Sequence, residues 1–340
     1  MDKDVKLRIL YLSKILLDRT DETHSLSTSD LISILEDEYH ICSHRTTIVA
    51  DIETLIDFGL DIQITKSRPV QYNVVSRKFD YAELKLIIDA IESAKFISKK
   101  RSTFLVEKVT SLAGINKAEE LKRNISVEHR IKSENELTIY IIDAINEAIN
   151  QGKKIRFQYF QYNVKKDLKP RHGGYWYCLS PYRLVWNGDF YYVLGYSEKH
   201  NDIGSFRIDR MAATPEISAE DALPLPEGFD LDHYLNSMFH MYSTDREVVS
   251  LICDNDCMDA LIDRFGEDVR TYAYDMEHFK AEVEIAISKV FFSWVFGFDG
   301  KVVIEGPMKV KDDYSKMVYQ AYKRFADGNK EDKMKPNKNE

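Results

Sequence analysis

Apolar residues near the N-terminus recur at helical spacing. Val5, Ile9, Leu12 and Leu16 place an amphipathic helix over residues 5–17, ending before the polar stretch RTDETHS. A short second helix carries Leu31, Ile34 and Leu35, with Ser27 or Ser29 as its cap. After EDEYHIC, Ser43 is positioned to cap a third helix carrying Ile48, Ile52, Leu55 and Ile56. The tight connection between the second and third helices, closed by Phe58-Gly59-Leu60, is a helix-turn-helix pattern. DIQIT and QYNVV, on either side of the turn-prone KSRPV, are β-forming runs suited to a hairpin wing. Residues 1–78 are therefore expected to form a winged helix-turn-helix domain.

Helical periodicity continues through Leu84, Ile87, Ile88, Ile91, Phe96, Phe104, Leu105 and Val109, with a hinge near Phe96-Ile97-Ser98. A further helix over 136–150 carries Leu137, Ile141, Ile145 and Ile149, so residues 79–150 read as a helical linker whose apolar face serves as a dimer surface or equally caps a neighbouring domain. The period then changes to two. KKIRFQYF, YWYCLSPYRLVW, DFYYVLGYS and GSFRIDRM are strand-like, and Asn187-Gly188 signals a type I′ hairpin. Short strands at this spacing imply a small twisted barrel over 151–220. The acidic, Pro-bearing stretch from Thr214 to Asp232 separates it from residues 245–327, where strands and helices alternate as an α+β unit. The polar tail DGNKEDKMKPNKNE has the composition of a disordered segment. The fold class expected is α+β and multidomain.

Charge sharpens this outline. A net charge of −9 argues against indiscriminate nucleic-acid binding, because phosphate attraction dominates the non-specific term. The average conceals two basic regions. Residues 62–78 hold four cations (Lys66, Arg68, Arg77, Lys78) and no acid, within a segment 1–78 that has ten Lys/Arg against thirteen Asp/Glu. Residues 153–210 hold eleven Lys/Arg against five acids, an excess of six. The start of the third helix is polar and acid-free, so Ser43, His44, Arg45, Thr46 and Thr47, with Lys66 and Arg68 of the hairpin, are the candidate DNA contacts.

These features resemble the WYL-domain transcription regulators that carry a DeoR-type winged helix. HRTTIVADIETLIDFG is similar to the family's recognition helix, and FDYAELKLIIDAIESAKFISKKRS to its bridging helices. LSPYRLVWNGDFYYVLGY and FRIDRM resemble the defining barrel signature, and FFSWVFGFDGKVVIEGP the C-terminal extension (WCX-like). In two places the chain departs from the pattern. The naming Trp-Tyr-Leu triplet falls on Tyr191-Tyr192-Val193, and Ala50 precedes Asp51 where many relatives have arginine.

The resemblance implies an Sm/SH3-like barrel that senses a nucleotide or single-stranded nucleic acid, and a homodimer on a pseudo-palindromic duplex operator. Ser180, Tyr182, Arg183, Tyr192, Arg207 and Arg210 supply the hydroxyls, aromatic faces and guanidiniums such a ligand requires, which makes them the candidate ligand contacts. Alternation places Arg183 with Pro181 on one strand face and Tyr182 on the other, unless the strand bends there. Asp209 is the carboxylate nearest in sequence to pair Arg207 or Arg210. Helices rather than a tether join the barrel to the DNA-reading unit, so a ligand could reset the spacing of paired recognition helices.

Other classes are disfavoured. Charges in the first eight residues argue against a secretory signal, and no apolar run approaches the roughly 18 residues of a membrane span. A cytoplasmic protein is expected. Cys42, Cys178, Cys253 and Cys257 are too few and too spread for a disulfide scaffold. Cys253 and Cys257 resemble half a zinc site, but no second ligand pair is near, so no metal and no cofactor is expected. Phosphate-loop, nucleophile-elbow and metalloprotease motifs are absent, and the expectation is a binder rather than an enzyme. The alternatives are a constitutive RNA- or single-strand-binding protein using the barrel, and a nucleic-acid-processing enzyme with a distorted site.

Overall fold

The computed structural model describes residues 3–123, 131–229, 231 and 246–332, and the chain divides into two compact units, residues 1–142 and 143–340.

In the first unit, α1 (Lys3–Arg19), α2 (Thr28–Tyr39) and α3 (Arg45–Asp57) pack on a small antiparallel sheet. Its strands are β1 (Leu26–Ser27), β2 (Ile62–Thr65) and β3 (Gln71–Val74), in the order β1-β3-β2. The core is the apolar stripe expected from periodicity: Leu12, Ile15 and Leu16 meet Leu31, Leu35, Ile48, Ile52 and Leu55 over Tyr72 and Val74. Ser27 caps α2 reciprocally, its Oγ accepting from the Asp30 N–H while the Asp30 carboxylate accepts from the Ser27 N–H at 2.8 Å.

Ser43 does not cap α3. The helix begins one residue later, with His44 as the extended cap residue and no side-chain cap bond, and the buried Ser43 Oγ meets no partner. The N–H groups of the first turn are therefore left without a side-chain acceptor.

Downstream lie α4 (Tyr81–Ser93), α5 (Lys99–Thr110) and α6 (Ile115–Arg123), with a non-helical joint between α4 and α5 at the expected hinge. Ser98 caps α5, its Oγ accepting from the Arg101 N–H. Leu84, Ile88, Val106, Ala113 and Leu121 form their own core. Asp21 ties this layer to the sheet: its carboxylate accepts from Asn116 Nδ2 at 3.3 Å, and its carbonyl from Asn73 Nδ2 at 3.1 Å. The boundary between the two units falls inside α7 (Thr138–Gln151).

The second unit opens with an antiparallel sheet in the order β10-β4-β7-β8-β9. Its members are β4 (Lys153–Gln158), β7 (Trp176–Asn187), β8 (Phe190–Ser197), β9 (Asp202–Arg207) and β10 (Glu216–Asp221). A separate two-stranded ribbon, β5 (Phe160–Tyr162) and β6 (Leu168–Pro170), leaves between β4 and β7. The strand β7 serves two partners in succession, 176–179 pairing with β4 and 180–187 with β8. Beyond β9, Met211 bridges Tyr159, which brings the far edge back toward the end of β4. Phe157, Tyr159, Tyr177 and Phe206 pack edge-on and stacked inside this curl. Gly195 is required by the curl, since a Cβ there would lie 2.4 Å from the Ser180 carbonyl oxygen.

Two expectations are corrected. Asn187 pairs with Phe190, so the turn is Gly188-Asp189 with Gly188 alone at positive φ. That is the φ pattern of a type II′ turn, which asks glycine only at its first position. The acidic stretch after Thr214 is not merely a separator. Its residues 216–221 form the edge strand β10, where Asp221 pairs with Lys153 at 2.7 Å and Glu220 with Lys154 at 2.9 Å. The end of that stretch, residues 230 and 232, lies outside the described residues.

The chain resumes at Arg246, one residue into the expected C-terminal unit. Strand β11 (Arg246–Asp254), α8 (Met258–Phe265), β12 (Arg270–Ala273), β13 (His278–Ala286), α9 (Lys289–Phe296) and β14 (Val302–Gly306) follow, with sheet order β12-β13-β11-β14. This βαββαβ order is the split βαβ arrangement of ferredoxin-like folds. The final helix α10 (Met308–Asp332) extends into the polar tail, and residues 333–340 lie outside the described residues. Cys253 and Cys257 are buried in this core; burial pushes the Cys253 thiol up to about 12 and also raises Cys257. Zinc binds the thiolate, which this environment disfavours.

Candidate nucleic-acid interface

In the first unit, a groove of about 550 Å³ runs between the start of α2, the start of α3 and the β2–β3 loop. Thr28, Ser29 and Ile32 line it from α2, Arg45 from α3, and Ser67, Arg68, Pro69 and Val70 from the loop. Two of the seven expected DNA contacts, Arg45 and Arg68, thus meet across one opening although 23 residues separate them in the chain. His44 and Thr46 are exposed at the α3 entry, Ser43 and Thr47 are partly covered there, and Lys66 is exposed on the loop; none of these five lines the groove.

Electrostatics at this entry differ from those at α2. The first turn of α3 carries no acid and no side-chain cap, whereas Asp30 occupies the first turn of α2. Uncapped N–H groups beside arginine are the elements of an anion site. The orientation of α3 is set from behind by Asp51, which is buried and accepts from Arg8 Nε at 2.5 Å and Nη2 at 3.2 Å. Sequence reasoning missed Ser29, an exposed hydroxyl on the groove wall; its serine-rich context STS was read only for capping.

In the second unit, strand register gathers several expected ligand contacts. Tyr192 lies opposite Val185 on β7 and opposite Arg207 on β9, and Arg183 lies opposite Leu194. Cross-strand partners share a face, so Arg183, Tyr192 and Arg207 point to the same side. A bulge between Pro181 and Arg183 leaves Tyr182 without a register partner, and Tyr182, like Tyr192 and Tyr196, packs against the buried cluster of Leu194 and Ile203.

Arg207 is held firmly. Its guanidinium sits 3.2 Å from the Phe190 ring centroid and forks onto Asp209 at 3.1 and 2.7 Å. Burial works against its charge, and the Asp209 carboxylate more than restores it, so its pKa is raised. Arg183 and Arg210 are exposed. Ser180 is placed differently from the expectation: it is 1% exposed, and its Oγ accepts the Leu223 N–H at 3.0 Å. The Tyr182 hydroxyl donates to the Pro224 carbonyl at 3.0 Å. Phe190 escaped sequence reasoning, although an aromatic directly after the turn and opposite a strand carrying arginine was a usable signal.

Residues 140–215 match the family model of the WYL domain. The match covers the end of the helical region, the curled sheet up to the bridge at Met211, and the Arg207–Asp209 pair. Among solved structures, the chain is similar to proteasome accessory factor B/C (PafBC) of Arthrobacter aurescens at 18% identity, covering 92% of this chain and 47% of that one, with a TM-score of 0.30. The chain thus spans just under half of that protein. It is also similar to a CRISPR Cas-related protein at 14% identity, covering 96% of this chain and 93% of that one, with a TM-score of 0.37. No curated protein matches the chain. No described helix is long and apolar enough to cross a membrane, and no described group of His, Cys, Asp and Glu side chains could hold a metal ion.

Proposed function

We propose that this chain is a DNA-binding transcription regulator. Its N-terminal helices and sheet act as a winged helix-turn-helix of the DeoR type, and its WYL segment, as an Sm-like barrel, senses a nucleotide or single-stranded nucleic acid. The observation that carries this reading is the shared groove: in a unit with more acids than cations, Arg45 of α3 and Arg68 of the β2–β3 loop converge on one opening beside an uncapped helix start. Phosphates would bind there, and the exposed face of α3 would read base edges. A homodimer on a two-fold operator is part of the proposal, as are an expected cytoplasmic location and the absence of catalysis.

On the WYL face, Tyr192 and Phe190 offer stacking surface, while Arg183 and Arg210 supply the positive charge. Arg207, neutralised by Asp209, orients rather than attracts. Arg45→Ala/Arg68→Ala in the full chain tests the first half. Two lost phosphate contacts should flatten the log–log salt dependence of duplex binding by about 1.8. If duplex affinity is unchanged and only single-stranded RNA or DNA binds, the constitutive single-strand binder is the better description. Arg183→Ala/Arg207→Ala should abolish response to a nucleotide or oligonucleotide while sparing basal duplex binding.

A further inference from the structure

The excess of six positive charges in residues 153–210 is not spread over the WYL sheet. Lys153 and Lys154 are consumed by Asp221, Glu198 and Glu220, and Arg207 by Asp209. Four of the remaining cations lie on the β5–β6 ribbon and its exit: Lys165, Lys166, Lys169 and Arg171, all exposed. Among the described residues none of the four is ion-paired. The one acid between them, Asp167, is engaged by Asn163 Nδ2 at 3.1 Å.

The ribbon pairs only with itself, Gln161 opposite Lys169 and Tyr162 opposite Leu168, and its tip is fully solvated, with Val164 at 101% exposure. Such a ribbon buries too little to order itself by packing. Its tip is ordered by hydrogen bonds instead: the Asn163 side-chain oxygen accepts from the N–H groups of Lys165 and Asp167, each at 2.9 Å. The turn thereby presents two adjacent lysines from a fixed backbone, and Lys169 and Arg171 continue the charge along the second strand and its exit.

We propose that the β5–β6 ribbon is a second DNA contact, a sequence-independent arm that grips the phosphates of duplex DNA. This rests on the regulator reading above and adds a location to it. Charge complementarity selects the partner: unpaired cations on a narrow two-stranded ribbon suit a polyanion, and such a ribbon fits a major groove. A protein surface is the poorer fit, because lysine is depleted at protein interfaces.

Duplex binding of the full chain to a random-sequence probe, titrated in salt, tests the arm. Lys165→Gln/Lys166→Gln/Lys169→Gln removes three charges while keeping polar side chains, and the matching Lys→Arg triple variant keeps the charges. The Gln variant should flatten the salt slope by about 2.7, equivalent to about 40-fold less affinity lost between 50 and 200 mM salt, while the Arg variant should follow wild type. An unchanged slope in the Gln variant, alongside a flattened slope in Arg45→Ala/Arg68→Ala, would overturn the arm and leave the regulator reading standing. Failure of the wild-type chain to bind duplex would overturn both. Loss confined to single-stranded probes, or a changed particle mass in light scattering, would also overturn the arm by assigning the ribbon to another partner.

Discussion

The carboxylate of Asp51, midway along α3, receives the guanidinium of Arg8 from α1 through two hydrogen bonds of 2.5 and 3.2 Å. Both side chains are largely withdrawn from water, at 11% and 8% exposure, so the pair is a directional strut between helices rather than a surface decoration. Its position beneath α3 means that the exposed side of that helix keeps its rotation when its own surface residues are changed. Removing one partner strands the other, so Arg8→Ala should destabilise the first unit by about 2–4 kcal/mol in denaturant unfolding. Arg8→Met/Asp51→Leu should recover most of that loss. An exposed pair would show less than about 1 kcal/mol.

Gly195→Ala is expected to disrupt the curled sheet. The added methyl would meet the Ser180 carbonyl at 2.4 Å and Leu179 Cγ at 2.7 Å, both in the neighbouring strand, where neither can swing away freely. A loss of about 1–3 kcal/mol is expected from overpacking, read as a lowered melting temperature.

Alkaline pH should weaken the C-terminal unit through Cys253. Burial raises its thiol to about 12, while an unfolded thiol titrates near about 8.5. The stabilisation is therefore complete below the unfolded value and declines as pH climbs toward the folded one. In the native protein at pH 8, the exposed Cys42 should alkylate rapidly and Cys253 only after denaturation, which mass spectrometry of the labelled peptides would show.

Acid should loosen the joint between the N-terminal sheet and α6. Burial opposes ionisation of Asp21, but hydrogen bonds from the Thr23 N–H, the His24 and Thr23 side chains and Asn116 outweigh it and hold the carboxyl well below the usual range. A depressed pKa contributes stability above the unfolded value of about 3.9, and the contribution fades as pH drops beneath it. The stability gap between wild type and Asp21→Asn should accordingly be about 1–3 kcal/mol at pH 7 and shrink below about pH 4. A gap that stays constant with pH would exclude this role.

Helices announced themselves in the sequence because Leu12, Leu16, Leu31, Leu35, Ile48 and Ile52 keep a single period along a single buried stripe. Strands β7 and β8 were equally plain, being largely apolar and joined by a two-residue turn. Strand β10 was hidden by its own chemistry: EISAED reads as an acidic connector until Lys153 and Lys154 appear opposite it. The same acids changed the charge picture, since they cancel cations that composition alone counted as available. Arg45 and Arg68 were each recognisable, but their shared groove depends on where the β2–β3 loop folds, which no local pattern encodes. The burial of Ser180 was not legible in its local pattern, and the N–H that its hydroxyl accepts, from Leu223, lies 43 residues downstream.

Because β7 hands over from one partner strand to another at residues 179–180 and bulges at Tyr182, chain length is negotiable in one part of the WYL segment and fixed in another. The β5–β6 ribbon can lose or gain residues at its tip, as only its own pairing is involved. Deleting one residue between Arg183 and Asn187 would instead reverse which side of the sheet the later side chains occupy, exchanging the faces of Val193 and Phe206 with those of Tyr192 and Arg207. Natural variation in length among related chains should therefore collect at the ribbon and spare this strand.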